Sequence, residues 1–526
     1  GEAGLHPSNI HDCEYAIGSI NFTGDMPVIL TRDGPSLGGF VCPVTIASAE
    51  LWKVGQVKPG DTIRFVPMDM ATAMALTERQ ERCIETLTGQ PEPDRQPPRL
   101  EPVDETSATI LASLPESDYG PAVCYRQAGD NYILMEYGPL VMELGFRLRI
   151  HALMESLENQ ALNGLLELSP GVRSLQLRYD PHRLPQSALI QALLEAEKSL
   201  PATEELTVRS RVLHLPMAFE DTATLEAVDK YRQSVRDTAP WLPNNVDFIQ
   251  RLNGLAHRNE VKDVLYSARY LVLGLGDVYL GAPCAVPLDP RHRLMTSKYN
   301  PARTWTAEGT VGIGGVYMCI YGMDSPGGYQ LVGRTLPIWN KHLKNPQFEP
   351  GKPWLLRFFD QVSFYPASEE ELHEMRDRFR WGELSITIEE ETFDLISHKA
   401  FLEAHSDSIA EFREHQKAAF ADEVARWREA EEEAVDSLNR AAPVQDADEL
   451  AALGELVSAE IAGNIWKCLV APGDTVQMGD PVIIVEAMKM EFEVTATDAG
   501  RISAVHCQPG KAVSSGDPLV SIETGS

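Results

Sequence analysis

The feature that most constrains this chain is a repeat near its C-terminus. Laid over itself at an offset of 37 residues, "AGNIWKCLVAPGDTVQMGDPVIIVE" (462–486) matches "AGRISAVHCQPGKAVSSGDPLVSIE" (499–523) at ten of 25 positions without a gap. Ala462, Gly463, Ile465, Pro472, Gly473, Val476, Gly479, Asp480, Pro481 and Glu486 all recur. Self-similarity of this kind marks a duplicated structural unit. Each copy carries β-branched residues punctuated by a Pro-Gly turn and a Gly-Asp-Pro turn, which predicts short strands. Two copies predict a small β-sandwich with quasi-twofold symmetry. The link between them, "VEAMKMEFEV" (485–494), then reads as a hairpin with Lys489 at its tip, between Met488 and Met490.

Upstream of the repeat the chain is long enough for further domains: 526 residues predict three or four units in all. Residues 395–440 read as a long helix with one apolar stripe, because Leu402, Ile409, Phe412, Phe420, Val424, Trp427, Val435 and Leu438 recur at helical spacings. Such a helix packs on its own domain, acts as a strut that positions the duplicated unit, or both. The stretch "AAPVQDADELAALGE" (441–455) reads as a linker. Residues 1–115 and 207–394 are rich in strands and turns. Both hold a Gly-Asp followed by an apolar strand (Gly24-Asp25, Gly276-Asp277) and a turn leading into Gly-Gly-aromatic ("DGPSLGGF", "DSPGGY"). Two related β-barrels facing one another are expected. Between them, residues 116–206 alternate strands with two helical stretches, as in a ferredoxin-like α+β subdomain.

Charge and composition exclude several functions. With 77 acidic against 46 basic residues the net charge is −31, which repels nucleic acid and anionic lipid. No apolar run approaches the roughly 18 residues of a membrane span, so a soluble, cytoplasmic protein is expected. The eight cysteines are scattered, without CxxC or a histidine cluster at zinc spacing, which predicts core packing in a reducing compartment and no metal site. The start, from Gly1, lacks the layout of a signal peptide and is expected to reflect processing or excision. No GxxxxGK[ST] loop occurs, and "GIGG" and "GLGD" are short of a dinucleotide fingerprint.

The "EAMKM" frame resembles the biotin carboxyl carrier domain, in which that lysine is modified by biotin protein ligase through an amide bond. The resemblance implies covalent biotin at Lys489, with Met488 and Met490 as the adaptable apolar surface the ligase recognises. "NFTGDMPVILTRDGPSLGGF", "APWLPNN", "LDPRHRLMTSKYNPARTW" and "IYGMDSPGGYQLVGRTLPIW" resemble the kinase-inhibitor and oxoprolinase family, also called allophanate-hydrolase-subunit-like domains. They are most similar to the branch fused to a biotin carrier in urea carboxylase and guanidine carboxylase. The resemblance implies a multidomain, mainly β chain. Residues 1–115 would be the C-terminal part of a first cyclophilin-like carboxyltransferase barrel, 116–206 the α+β subdomain and 207–394 a second such barrel. Residues 395–454 would be a helical linker and 455–526 a biotinyl β-sandwich.

It also implies transfer of a carboxyl group from N-carboxybiotin to a nitrogen of urea, giving allophanate, or of guanidine, giving carboxyguanidine. A biotin carboxylase domain, absent here, would use ATP, Mg and bicarbonate. Allophanate hydrolase or carboxyguanidine deiminase would consume the product. Non-carboxylating oxoprolinase-like or kinase-inhibitor-like proteins are the alternative, but leave Lys489 without a purpose. Urea and guanidinium are flat N–H donors, so carboxylate oxygens should line the site. Asp25 and Asp277 are the first candidates, with Tyr279 and Asn245 as hydrogen-bonding partners; turn, cap or core roles compete for each. Lys53, Arg291 and Arg293 read as solvated or paired cations.

Overall fold

A computed structural model describes residues 9–23, 26–32, 37–58, 60–87, 109–118, 120–276, 281–299, 302–341, 345–441, 454–459, 463–487, 490–508, 511–513 and 516–523. The N-terminal segment comprises β1 (Asn9–Glu14), β2 (Ser19–Thr23), β3 (Met26–Ile29), β4 (Leu37–Phe40), β5 (Val44–Thr45) and α1 (Met70–Thr86). β1 pairs with β4, and β2 lies between β3 and β5. Among its described residues this segment forms two small sheets. α1 adds a helix to a segment that reads as rich in strands and turns. It starts where the Asp69 carboxylate accepts the Thr72 N–H at 2.8 Å, and a run of helix formers follows. Only Ala73 of this helix is buried, so its apolar period is faint.

The next unit holds β6 (Ile110–Leu114), β7 (Val123–Gln127), β8 (Tyr132–Tyr137), α2 (Leu144–Gln160), β9 (Leu165–Pro170), β10 (Ser174–Tyr179) and α3 (Gln186–Ser199). The sheet order is β6-β7-β8-β10-β9, with every pairing antiparallel. β8, α2 and β9 form a crossover with β10 inserted between its strands, the split βαβ arrangement. Tyr125, Ile133, Met135, Leu175 and Leu177 pack under Phe146, Ile150, Leu153 and Leu189 of the two helices. The place beside β8 that a following strand would fill in a ferredoxin-like sheet is taken by β7. The strand after α3 leaves for the next unit.

That strand is β11 (Thr207–Phe219). It is followed by α4 (Thr222–Ser234), α5 (Asn245–Leu252), α6 (Arg258–Ser267), β12 (Arg269–Gly276), β13 (Ala282–Pro287), β14 (Arg303–Thr306), β15 (Thr310–Gly314), β16 (Tyr317–Ile320), β17 (Ser325–Gly327), β18 (Gln330–Arg334), β19 (Gln361–Pro366), α7 (Glu369–Arg380) and β20 (Ile388–Asp394). The order β18-β15-β16-β13-β12-β19-β11, with β11 returning to β18, closes a seven-stranded barrel, and β20 extends it beside β11. Strand alternation explains the near-continuous apolar run of β12. Tyr270 and Val272 enter one core with Leu213, Val311 and Met318, while Leu271 and Leu273 join a second core with Leu144, Leu148 and Tyr317.

α8 (Leu395–Ala404) and α9 (Ser406–Ala441) follow, so the single helix expected over 395–440 is broken at His405. α9 lies on the barrel unit: Trp427 stacks on Phe248 at 5.4 Å, and Arg251 Nε pairs with Glu423 at 3.0 Å. The C-terminal unit contains β21 (Glu455–Ser458), β22 (Gly463–Cys468), β23 (Thr475–Val476), β24 (Pro481–Ala487), β25 (Met490–Thr495), β26 (Gly500–Val505), β27 (Ala512–Val513) and β28 (Pro518–Glu523). Its two sheets run β21-β28-β26-β23 and β25-β24-β22-β27. The 37-residue offset exchanges β21 with β25, β24 with β28, β22 with β26 and β23 with β27, so each sheet maps onto the other. Val457, Ile465, Val482, Val485, Val494, Ile502, Leu519 and Ile522 fill the core between them.

Candidate functional site

The two phrases "DGPSLGGF" and "DSPGGY" both end in an aromatic residue, and the fold brings the two aromatics to one lysine. Lys298 Nζ lies 5.4 Å from the Phe40 ring centroid and 5.3 Å from that of Tyr329. Cations are attracted to aromatic faces at this range. Each ring is held by glycines. A Cβ on Gly312 would lie 3.0 Å from Tyr329 Cβ, and one on Gly314 would overlap the Tyr329 ring, so the glycines of "TVGIGG" make room for it. On the other side, a Cβ on Gly38 would lie 2.6 Å from Tyr15 Oη, and that hydroxyl accepts the Phe40 N–H at 2.7 Å. Leu37 meanwhile packs over Gly274 of β12. The lysine's backbone is tied to the second phrase: the Tyr299 N–H donates to Gly328 O at 2.6 Å, and Gln330 Nε2 donates to Ser297 O at 2.9 Å.

Behind Lys298 lies a buried polar layer. The Arg303 guanidinium sits 4.3 Å above the Tyr299 ring and donates to Tyr329 O (2.7 Å), Thr306 Oγ1 (3.2 Å) and Tyr321 Oη (3.3 Å). Asn245 belongs to this layer. It is 2% exposed; its Nδ2 donates to Trp241 O and Tyr299 Oη, and its Oδ1 accepts the Leu331 N–H at 2.9 Å. Those bonds fix Tyr299 and β18 in place. Asn244 caps α5, accepting the Val246 and Asp247 N–H groups.

A second buried cluster fastens β1 to the body. His11 Nδ1 lies 2.7 Å from Tyr317 Oη, and Ser174 Oγ donates to Glu14 Oε2 at 2.7 Å. Arg147 donates to Leu273 O at 2.6 Å and places its guanidinium 4.9 and 4.8 Å from the Phe358 and Phe359 rings. Burial raises the Glu14 carboxyl to about 7 and lowers Arg147 to about 9, because neither charge is hydrated.

Asp25, Asp277 and Tyr279 lie outside the described residues, but their flanks are placed. Thr23 faces Met26 across the β2–β3 hairpin, and Gly276 faces Ala282 across β12–β13. Lys53 is half-exposed and paired with Glu50, and Arg291 is held by Asp289 at 2.6 Å. Sequence reasoning missed Lys298, although its "SKYN" stands within "LDPRHRLMTSKYNPARTW"; Phe40 and Tyr329 are too distant in the chain for any local pattern to show their convergence. In the C-terminal unit, Ala487 faces Met490, leaving only residues 488 and 489 to join β24 and β25. Met488 and Lys489 lie outside the described residues, as does the side chain of Met490. No helix among the described residues is long and apolar enough to cross a membrane.

Three families match the sequence: "Carboxyltransferase domain, subdomain A and B" over residues 1–67, "Carboxyltransferase domain, subdomain C and D" over 123–348, and "Biotin-requiring enzyme" over 449–522. The urea amidolyase of Lachancea kluyveri is 48% identical over 505 residues, covering 95% of this chain and 27% of that protein. A putative urea carboxylase of Emericella nidulans is 35% identical over 522 residues, covering 95% of this chain and 42% of that protein. The crystal structure of the Kluyveromyces lactis urea carboxylase superposes with a TM-score of 0.78 at 46% identity, covering 99% of this chain and 45% of the other. The chain thus spans less than half the length of each of these relatives.

Proposed function

We infer that this chain, which belongs to the urea carboxylase family and holds its carboxyltransferase and biotinyl domains, transfers a carboxyl group to a nitrogen of urea. The observation that carries this reading is the 48% identity to a urea amidolyase, extending across 95% of the chain and so through both kinds of domain. An oxoprolinase-like or kinase-inhibitor-like role leaves the biotinyl domain without a purpose.

Biotin is joined to Lys489 in this reading. A lysine in a two-residue connection between paired strands suits amide attachment by biotin protein ligase, and Met488 and Met490 supply the apolar contact. Biotin held there would supply a ureido ring able to carry the carboxyl group and to accept a proton. The chain's own residues orient the reactants and exclude water. Asp25 and Asp277, each following a glycine, accept N–H groups of the acceptor, and Tyr279 adds a hydroxyl. Asn245 acts at one remove, by fixing Tyr299. ATP, Mg and bicarbonate serve a biotin carboxylase partner, and an allophanate-hydrolysing step consumes the product, all in the cytoplasm. Guanidinium is the second reading, because two aspartates suit a cation; carboxyguanidine and its deiminase would then replace allophanate and its hydrolase.

The test is a steady-state assay of the chain within its complete enzyme, with ATP and bicarbonate, comparing kcat/KM for urea and guanidine. Intact mass establishes biotin on Lys489 beforehand, and Lys489→Arg is expected to remove both the added mass and the acceptor-dependent turnover. A biotinylated enzyme that neither compound stimulates would overturn the acceptor assignment.

A further inference from the structure

We propose that Lys298 binds the carboxylate under transfer, at the seam where the N-terminal segment meets the barrel. The proposal rests on the carboxyltransfer reading above and adds a residue to it. Its first support is position. Phe40 belongs to the segment matched by subdomains A and B, while Lys298 and Tyr329 belong to the region matched by subdomains C and D, so the site exists only when the two are together.

The second support is charge. Among the described residues no carboxylate lies within 4.0 Å of Lys298, although the chain carries a net charge of −31. Lys53, Lys230, Lys352 and Lys399 each have one; among the described lysines that do not, Lys298 alone lies over two aromatic rings. The third is construction. Two aromatic faces attract the ammonium without offering it an acceptor oxygen, so its N–H donors are directed by the rings yet left to a ligand. Lys298 is half-buried, which leaves it reachable while strengthening its field.

A lysine suits the task better than an arginine. Its ammonium is a point charge that grips a carboxylate without the two-pronged clamp of a guanidinium, so the group can be held and then released. The same charge repels a cationic acceptor, so Lys298 also selects for neutral urea over guanidinium. Nothing in the local sequence predicts this, because the three side chains come from residues 40, 298 and 329.

The test needs no turnover. The full chain is titrated calorimetrically with malonamate, the methylene isostere of allophanate that keeps its carboxylate, and with malonamide, its neutral counterpart. Wild type is expected to prefer malonamate by about tenfold, the factor that one charge-assisted hydrogen bond provides. Lys298→Gln should abolish that preference and Lys298→Arg should keep most of it, with thermal melts confirming that both variants fold. Absence of a preference in wild type, or its survival in Lys298→Gln, overturns the proposal. The acceptor assay fails separately. If urea gives no turnover but the glutamine variant loses the preference, the lysine's role stands and urea falls; if urea is carboxylated and the variant keeps the preference, the reverse holds.

Discussion

Glu14 shows how one buried side chain can set the pH response of a whole interface. Its carboxyl titrates near 7 in the folded chain, against an unfolded value near 4.5, because desolvation outweighs the Ser174 bond and the attraction of Arg147. Between those values the folded chain holds a proton that the unfolded chain has lost. Stability therefore falls as pH rises from about 4.5 to 7, by at most about 3 kcal/mol, and changes little from this source above that. Arg147 stays charged throughout that window. Glu14→Gln is expected to flatten the profile, as denaturant melts from pH 5 to 8 would show. Gly314 makes a steric prediction. Alanine there would displace the Tyr329 ring and cost about 1–3 kcal/mol, with a matching loss of malonamate binding, since that ring flanks Lys298. At this scale the sequence was only partly legible. It disclosed the glycines and aromatics of the two phrases but not the direction of Asn245, whose residue type fits a substrate contact and a core bond equally well.

Among the elements, the seam between α5 and α9 carries the clearest test. Ile409 and Gln416 are buried along α9, and Phe420 and Trp427 pack on the cluster of Tyr231, Trp241 and Phe248. Gln416 donates to Asn253 Oδ1 and Arg293 O, so the stripe legible as apolar in the sequence has a polar tie within it. Trp427→Ala should cost about 2–3 kcal/mol. Hydrogen exchange should quicken along α9 and leave β12 and β19 protected; uniform protection in the variant would mean that the helix holds by its other contacts. The carrier strands were legible because the repeat fixes their phase twice over. α1 was not, because its apolar residues are too little buried to impose a period. The placing of β7 beside β8 was not legible because pairing order is a long-range property that local patterns do not encode.

The molecule as a whole couples units whose cores are separate. Among the described residues the carrier core draws on none of the barrel or of the α+β unit, so calorimetry should resolve a carrier transition of its own. A Cβ on Gly500 would come within 2.5 Å of Glu523 O, so Gly500→Ala should lower that transition and leave the other in place. A single transition shifting as one would refute this independence. The carrier's symmetry has one more consequence. The offset that exchanges β24 with β28 and β25 with β21 makes the Ala487–Met490 end the counterpart of the end where β21 meets β28, Glu455 opposite Ile522. The domain's first and last strands are thus neighbours, joined to each other far more than to anything outside. A gene segment encoding such a unit can be spliced in, moved or left standing alone without either sheet being rebuilt, so recombination can carry the domain whole.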